Sequence, residues 1–128
     1  MNFNSKKPIY LQITDYFLNS IISKKYNIGD RILSVRDLAI QLGVNPNTVM
    51  RAYTYLQDKN IIFNKRGIGY FISENARENA IDIKYKEFTN DELPEVFDTM
   101  KILGISFADL KKLYKKHKTK KSKTHENK

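Results

Sequence analysis

The run SVRDLAIQLGVNPNTVMRAYTYL, residues 34–56, decides how this chain folds. Ser34 is a favourable helix N-cap, and Asp37 three residues later supplies a carboxylate variant of the capping box. Val35, Leu38, Ala39 and Leu42 share one helical face, and Gly43 provides the left-handed residue that stops the helix. After Val44, Asn45 caps a further helix with Pro46 at its first position, where a missing N–H is harmless. Val49, Ala52, Tyr53 and Leu56 then fall at the spacing of a buried stripe, and the helix ends by about Lys59-Asn60. Two short helices joined by Gly43-Val44 make a helix-turn-helix pattern, one shared with many proteins that never touch DNA.

The residues on either side narrow the reading. Downstream, Ile61-Ile62-Phe63 and Tyr70-Phe71-Ile72 are β-prone runs flanking Asn64-Lys65-Arg66-Gly67-Ile68-Gly69, a hairpin with glycines at its turn and cations at its tip. A helix-turn-helix followed at once by a basic hairpin predicts a winged helix. Upstream, a helix beginning at Pro8 carries Ile9, Ile13, Phe17 and Ile21 at four-residue steps, with Leu11, Leu18 and Ile22 alongside. That wide apolar surface predicts burial on more than one side, ending near Lys24-Lys25. Asn27-Ile28-Gly29-Asp30 reads as a turn, and Arg31-Ile32-Leu33 is long enough only for a short strand.

Beyond Ser73 the pattern is helical but less sharply drawn. Residues 76–88 read as a helix through Ile81, Lys84, Tyr85 and Phe88, although Ile81, Ile83 and Tyr85 also alternate as a strand would. Asn90 is expected to cap the next helix, with Pro94 in its first turns and Leu93, Val96, Phe97, Met100 and Leu103 as its stripe before Gly104. Ser106 caps a last helix with Asp109 at the box position and Phe107, Leu110, Leu113 and Tyr114 on its face. From Lys118 onward, Lys and polar residues without apolar company predict disorder. The expected fold class is therefore mostly α with a small β-hairpin. A winged helix-turn-helix over residues 1–73 is followed by a helical region over 74–117 and a basic disordered tail over 118–128.

With 128 residues there is room for one ordinary domain, or a small domain with an appendage. A hydrophobic content of 41% against 29% charged is a globular mixture that can bury a core. Cysteine is absent, which excludes disulfides, thiolate zinc sites and thiol catalysis and suits a reducing compartment. Neither a signal-like apolar stretch nor a membrane-length run occurs, so a soluble, cytoplasmic protein with no membrane partner is expected. The only histidines, His117 and His125, lie in or next to the tail, and no nucleophile or metal-ligand cluster accompanies them. No catalytic residue, metal or cofactor is expected.

The formal charge of +9 is unevenly spread. Residues 1–73 hold ten Lys/Arg against four Asp/Glu, residues 74–110 four against nine, and residues 111–128 nine against one. A polyphosphate partner is expected at the N-terminal part, with help from the tail and repulsion from the middle.

The motifs Pro8-Ile9-Tyr10-Leu11-Gln12-Ile13, Gly29-Asp30-Arg31, Ser34-Val35-Arg36-Asp37-Leu38-Ala39, Leu42-Gly43-Val44-Asn45-Pro46-Asn47-Thr48-Val49, Arg51-Ala52-Tyr53 and Arg66-Gly67-Ile68-Gly69-Tyr70-Phe71 follow one another in order. Together they resemble the GntR family of bacterial regulators, and within it the short YtrA-type branch. The resemblance implies a dimeric repressor on a double-stranded operator, each winged helix on one half-site, with the C-terminal helices as the dimerisation element. Leu33 departs from the proline usual before the Ser cap. Met50 stands where many members carry an arginine, Arg51 following it as in the YtrA-type branch; one residue is a turn of about 100° on a helix, so no base contact transfers to Met50.

At 100° per residue, Asn47, Arg51 and Thr54 lie opposite the buried stripe and form the expected recognition face. Arg suits a guanine edge, Asn an adenine edge, and Thr a base or a thymine methyl. Thr48 is placed to bond phosphate with help from helix-end amides and the dipole, and the resemblance puts Arg36 at a phosphate or groove edge. Lys65 and Arg66 bracket Gly67 at the wing, where a small residue permits approach to a minor groove. Ser34 and Asn45 are read first as caps; surface arginines and hairpin lysines are commonly just solvated, and here the ordered motif argues for DNA. Phe97, Met100, Leu103, Phe107, Leu110 and Tyr114 either cover the first helix within one subunit or pair with a second copy, and the homodimer is preferred because a two-fold matches a palindrome. About 45 residues of helix cannot enclose a large effector pocket. The competing reading is a nucleoid or RNA-binding winged helix without operator specificity.

Overall fold

The computed structural model describes residues 1, 3 and 6–126, with side chains through 121. The chain divides into two compact units, Met1–Tyr85 and Lys86–Lys128.

In the first unit, α1 (Ile9–Ile22) leads through a turn to the two-residue strand β1 (Arg31–Ile32). Then come α2 (Val35–Leu42) and α3 (Pro46–Asp58), followed by the hairpin of β2 (Ile62–Lys65) and β3 (Gly69–Ile72). The sheet has the order β1-β3-β2 and is antiparallel throughout, so β1 adds a third strand to the expected hairpin. This is a winged helix, mostly helical with a small sheet.

Local chemistry sets the ends of these elements. Pro8 caps α1 from outside the helix, and α1 stops at Ile22, before the lysines expected to end it, because Lys24 turns left-handed with φ of 66°. Ser34 Oγ accepts from the Asp37 N–H at 3.0 Å to start α2, and Gly43, with φ of 67°, ends it as expected. The core gathers Ile13, Phe17, Leu18 and Ile21 of α1, Leu38 and Ala39 of α2, the α3 stripe, and Ile61, Ile62 and Ile72 of the wing.

A helix, α4 (Ala76–Glu87), occupies the segment where helix and strand patterns competed. Its residues Ala76 and Ala80 are fully buried in the same core, so the first unit runs past the expected limit at Ser73. Asn79 Nδ2 donates to the Asn60 carbonyl at 3.3 Å and Lys84 Nζ to Asp15 Oδ1 at 2.8 Å, fastening α4 to α3's end and to α1.

In the second unit, α5 spans Leu93–Leu103 and ends at Gly104, and α6 spans Phe107–Glu126. Two expectations are corrected here. Asn90 is not a cap: Phe88–Glu92 form a π-helical turn whose closing Leu93 N–H reaches the Phe88 carbonyl, and Glu92 ahead of α5 is already helical. An N-cap requires extended backbone, which a continuous helix does not offer. Pro94 explains the widened turn, since its ring would crowd the carbonyl four residues back, that of Asn90. The second correction concerns the tail, for α6 continues through the residues expected to be disordered, with only 127–128 outside the described residues. Its sequence from Phe107 holds no Gly or Pro, lysine is a good helix former, and cations suit a helix C-terminus. The start is fixed as expected by a reciprocal box, the Asp109 N–H to Ser106 Oγ at 3.1 Å and the Ser106 N–H to Asp109 Oδ2 at 3.0 Å.

Candidate nucleic-acid interface

Helix α3 is held by its buried side. Val49, Ala52, Tyr53 and Leu56 are all 0% exposed. The Tyr53 ring meets Phe17 and Tyr70 edge-on, at centroid distances of 5.8 and 4.9 Å. Its hydroxyl donates to the Leu33 carbonyl at 2.6 Å, and burial pushes its pKa up, so it stays a neutral donor. A helix pinned this way has one free side, and Asn47, Arg51 and Thr54 are all exposed on it. The three residues grouped by periodicity are thus on one side of α3 and open to solvent. Met50, one position round, is 41% exposed.

Arg51 has a partner that periodicity did not reveal. Its guanidinium carbon lies 3.9 Å from the centre of the Tyr10 ring on α1, a cation–π stack. Thr48 is half-buried, and the nearby amides are already engaged: the Asn47 N–H donates to Asn45 Oδ1 at 2.8 Å and the Thr48 N–H to the Asn45 carbonyl at 2.9 Å. The amide help expected for a phosphate at Thr48 is therefore small, leaving its hydroxyl and the helix dipole. Arg36 is exposed in the first turn of α2.

The wing tip is a three-residue turn, Arg66-Gly67-Ile68, closed by the Ile68 N–H on the Lys65 carbonyl at 2.9 Å. Lys65, Arg66 and Gly67 are exposed there. Lys65 Nζ stands 5.0 Å from the Phe71 ring, which stacks on Phe63 across the hairpin with centroids 5.8 Å apart. Arg31 of β1 braces the tip: its Nη2 donates to the Ile68 carbonyl at 2.6 Å, and its guanidinium packs on Gly69, where an added Cβ would come within 3.0 Å of Nε. Sequence reasoning placed Arg31 in a short strand and in the Gly29-Asp30-Arg31 motif, but not among the site residues. Its functional signal was positional, in that an exposed arginine on an edge strand faces whatever pairs beside it.

The family model for the bacterial regulatory proteins of the gntR family matches residues 9–72, the span from α1 to the end of the wing. This chain belongs to the GntR family. These are transcription regulators built on a helix-turn-helix DNA-binding fold. Its relatives include YhcF, an uncharacterized HTH-type transcriptional regulator of Bacillus subtilis, 39% identical over 84% of this chain and 88% of that protein. They also include the HTH-type transcriptional repressor YtrA of the same organism, 40% identical over 62% of each chain. Among solved structures, a GntR family transcriptional regulator from Listeria monocytogenes superimposes with a TM-score of 0.75 at 37% identity, covering 89% of this chain and 98% of that one.

In this GntR member the second unit is amphipathic without a closed core. Among the described residues from Lys86 onward, no side chain is fully buried. Of the residues expected at a dimer interface, Phe97, Leu103, Phe107 and Tyr114 are 51%, 65%, 76% and 65% exposed, and Met100 and Leu110 are half-buried. Phe88, Leu93, Val96, Phe107, Leu110 and Leu113 line an open apolar groove of about 560 Å³. Phe88, Leu93, Val96 and Leu113 were outside the expected interface set, though Leu93, Val96 and Leu113 belong to the apolar stripes read for α5 and α6. Among the described residues no group of His, Asp or Glu is arranged to hold a metal, and no helix is long and apolar enough to cross a membrane.

Proposed function

We propose that this GntR-family chain is a dimeric, sequence-specific repressor that binds an inverted-repeat operator in double-stranded DNA and acts in the cytoplasm. The observation that carries this reading is the open face of Asn47, Arg51 and Thr54 on a helix whose opposite side is fully buried. A rigid rod presenting Arg, Asn and Thr is suited to base edges in a major groove. In this reading Thr48 and Arg36 hold phosphate or a groove edge, and Lys65, Arg66 and Gly67 of the wing lie along the neighbouring minor groove.

The second unit supports the dimer. A pair of helices leaving Phe97, Leu103, Phe107 and Tyr114 more than half exposed is stabilised by covering them, and a second copy does so while providing two-fold symmetry. Phe97, Met100, Leu103, Phe107, Leu110 and Tyr114 are the contact residues of that interface. Repression is supported by the relative YtrA, itself a transcriptional repressor. Selection of bound sequences from a random duplex pool tests the whole: an inverted repeat is the expected product, whereas absence of enrichment points to a nucleoid or RNA-binding role.

A further inference from the structure

We infer that Tyr10 is a positioning residue for base recognition: its ring, stacked on Arg51, sets the specificity of the arginine without touching a base itself. The inference rests on the operator-binding reading above. Three observations support it. The guanidinium carbon of Arg51 lies over the Tyr10 ring, 3.9 Å from its centroid, well within cation–π range. Tyr10 itself is half-buried and packs against the core cluster, so the ring is a fixed surface and not a second mobile group. Arg51 is otherwise exposed on α3, the helix whose buried face is locked by Tyr53.

An exposed arginine has several rotatable bonds, and freezing them on DNA opposes binding. A ring against one face of the guanidinium restricts those bonds beforehand. Stacking engages only the π face, so the N–H groups, which lie in the guanidinium plane, remain available for a bidentate contact with a guanine edge. Preorganisation of this kind raises affinity only where the arginine meets its correct base. The ring should therefore increase discrimination more than it increases general affinity for DNA.

The test uses the full chain, the palindrome recovered by pool selection and a random duplex of equal length. Tyr10→Leu, which keeps an apolar side chain on the core but removes the π face, is expected to lower the ratio of specific to random affinity about three- to tenfold. Tyr10→Phe restores the ratio, because the ring and not the hydroxyl does the positioning. In an Arg51→Ala background Tyr10→Leu should have no further effect on the ratio. In the free wild-type protein the Arg51 δ-protons should resonate upfield through the ring current, and this shift should vanish in Tyr10→Leu. Loss of specificity in Arg51→Ala alongside an unchanged ratio in Tyr10→Leu overturns the positioning role and leaves the operator reading intact. An increased ratio in Tyr10→Leu also overturns it, since the ring would then be withholding the arginine. Unshifted δ-protons in the wild type remove the stack itself, independently of how any variant folds. If Arg51→Ala leaves the ratio unchanged, or no palindrome is recovered, the operator reading falls and takes this inference with it.

Discussion

Arg51 and Lys65 carry the same charge in different surroundings, and on the proposed operator reading that difference separates a base contact from a backbone contact. Arg51 projects from a helix immobilised by Tyr53 and is backed by the Tyr10 ring; Lys65 stands beside Phe71 on a hairpin. Arg51→Ala is expected to cost about 1–3 kcal/mol on the selected site and to relax preference at one base pair, while Lys65→Ala weakens binding to all duplexes evenly and lowers the salt slope by about one. Competition titrations over a salt series measure both quantities. Equal losses on specific and random DNA for the two variants would remove the distinction. A second residue-scale effect concerns Asp15. Burial raises its pKa, but the hydrogen bonds and charges of Lys7 and Lys84 outweigh that and hold the carboxyl below its usual range. A depressed carboxylate contributes stability that is present above its unfolded pKa and disappears as the pH falls through the folded value. Asp15→Asn should therefore cost about 1 kcal/mol near neutrality, and the gap to wild type should close in acid, below roughly pH 4. Urea midpoints across that range decide it; a gap independent of pH would show that the ion pairs are not its source.

Elements differ in how far their own residues determine them, and this governs what the chain reveals before its structure is known. Helices α2 and α3 were legible to within a residue or two because Ser34, Gly43, Asn45 and Pro46 act within one turn of themselves and the stripe from Val49 to Leu56 is unbroken. The start of α5 was not, because the π turn at Phe88–Glu92 is a response of the backbone to Pro94 and leaves no cap to recognise. The end of α6 was not legible because polarity alone does not distinguish disorder from an exposed helix, and a run of lysines without Gly or Pro extends a helix once Ser106 and Asp109 have nucleated it. That Asn47, Arg51 and Thr54 share one exposed side was legible through periodicity alone; the contacts of Tyr10 with Arg51 and, at the wing, of Arg31 with Ile68 join residues far apart in the chain and have no periodic trace. The wing allows a test at this scale. Gly69 adopts φ of 150°, and a Cβ there would sit 3.0 Å from Arg31 Nε and 3.2 Å from Nη2. Gly69→Ala should displace the flexible arginine end, break its bond to the Ile68 carbonyl and destabilise the unit by about 1 kcal/mol through backbone strain. Arg31→Ala should loosen the same tip without that strain. Hydrogen exchange at the Ile68 amide, faster in both variants, is the expected signature; protection unchanged in Arg31→Ala would mean the brace is idle.

At the scale of the whole molecule the two units have opposite needs. The first closes a core from Ile13 to Ala80 within one chain, whereas the second leaves Phe107 76% exposed and Leu113 56% exposed. Replacing an exposed apolar residue by a charge is nearly neutral for a folded monomer, yet at a self-complementary interface it places two carboxylates in an apolar contact. Phe107→Glu should consequently leave the unfolding transition of the first unit in place while converting the proposed dimer into a 15.0 kDa monomer. Ile28→Glu, at a residue 65% exposed on the first unit, serves as the control and should remain dimeric. On DNA, loss of the second half-site removes the avidity of linked binding, so Phe107→Glu should bind the palindrome about a hundredfold more weakly or worse, yet bind an isolated half-site as the wild-type chain does. Sedimentation velocity and half-site titrations measure the two consequences separately. A wild-type chain that sediments as a monomer at concentrations where it saturates the palindrome would place the two-fold in the DNA alone, and the exposed stripes of α5 and α6 would then require some other partner.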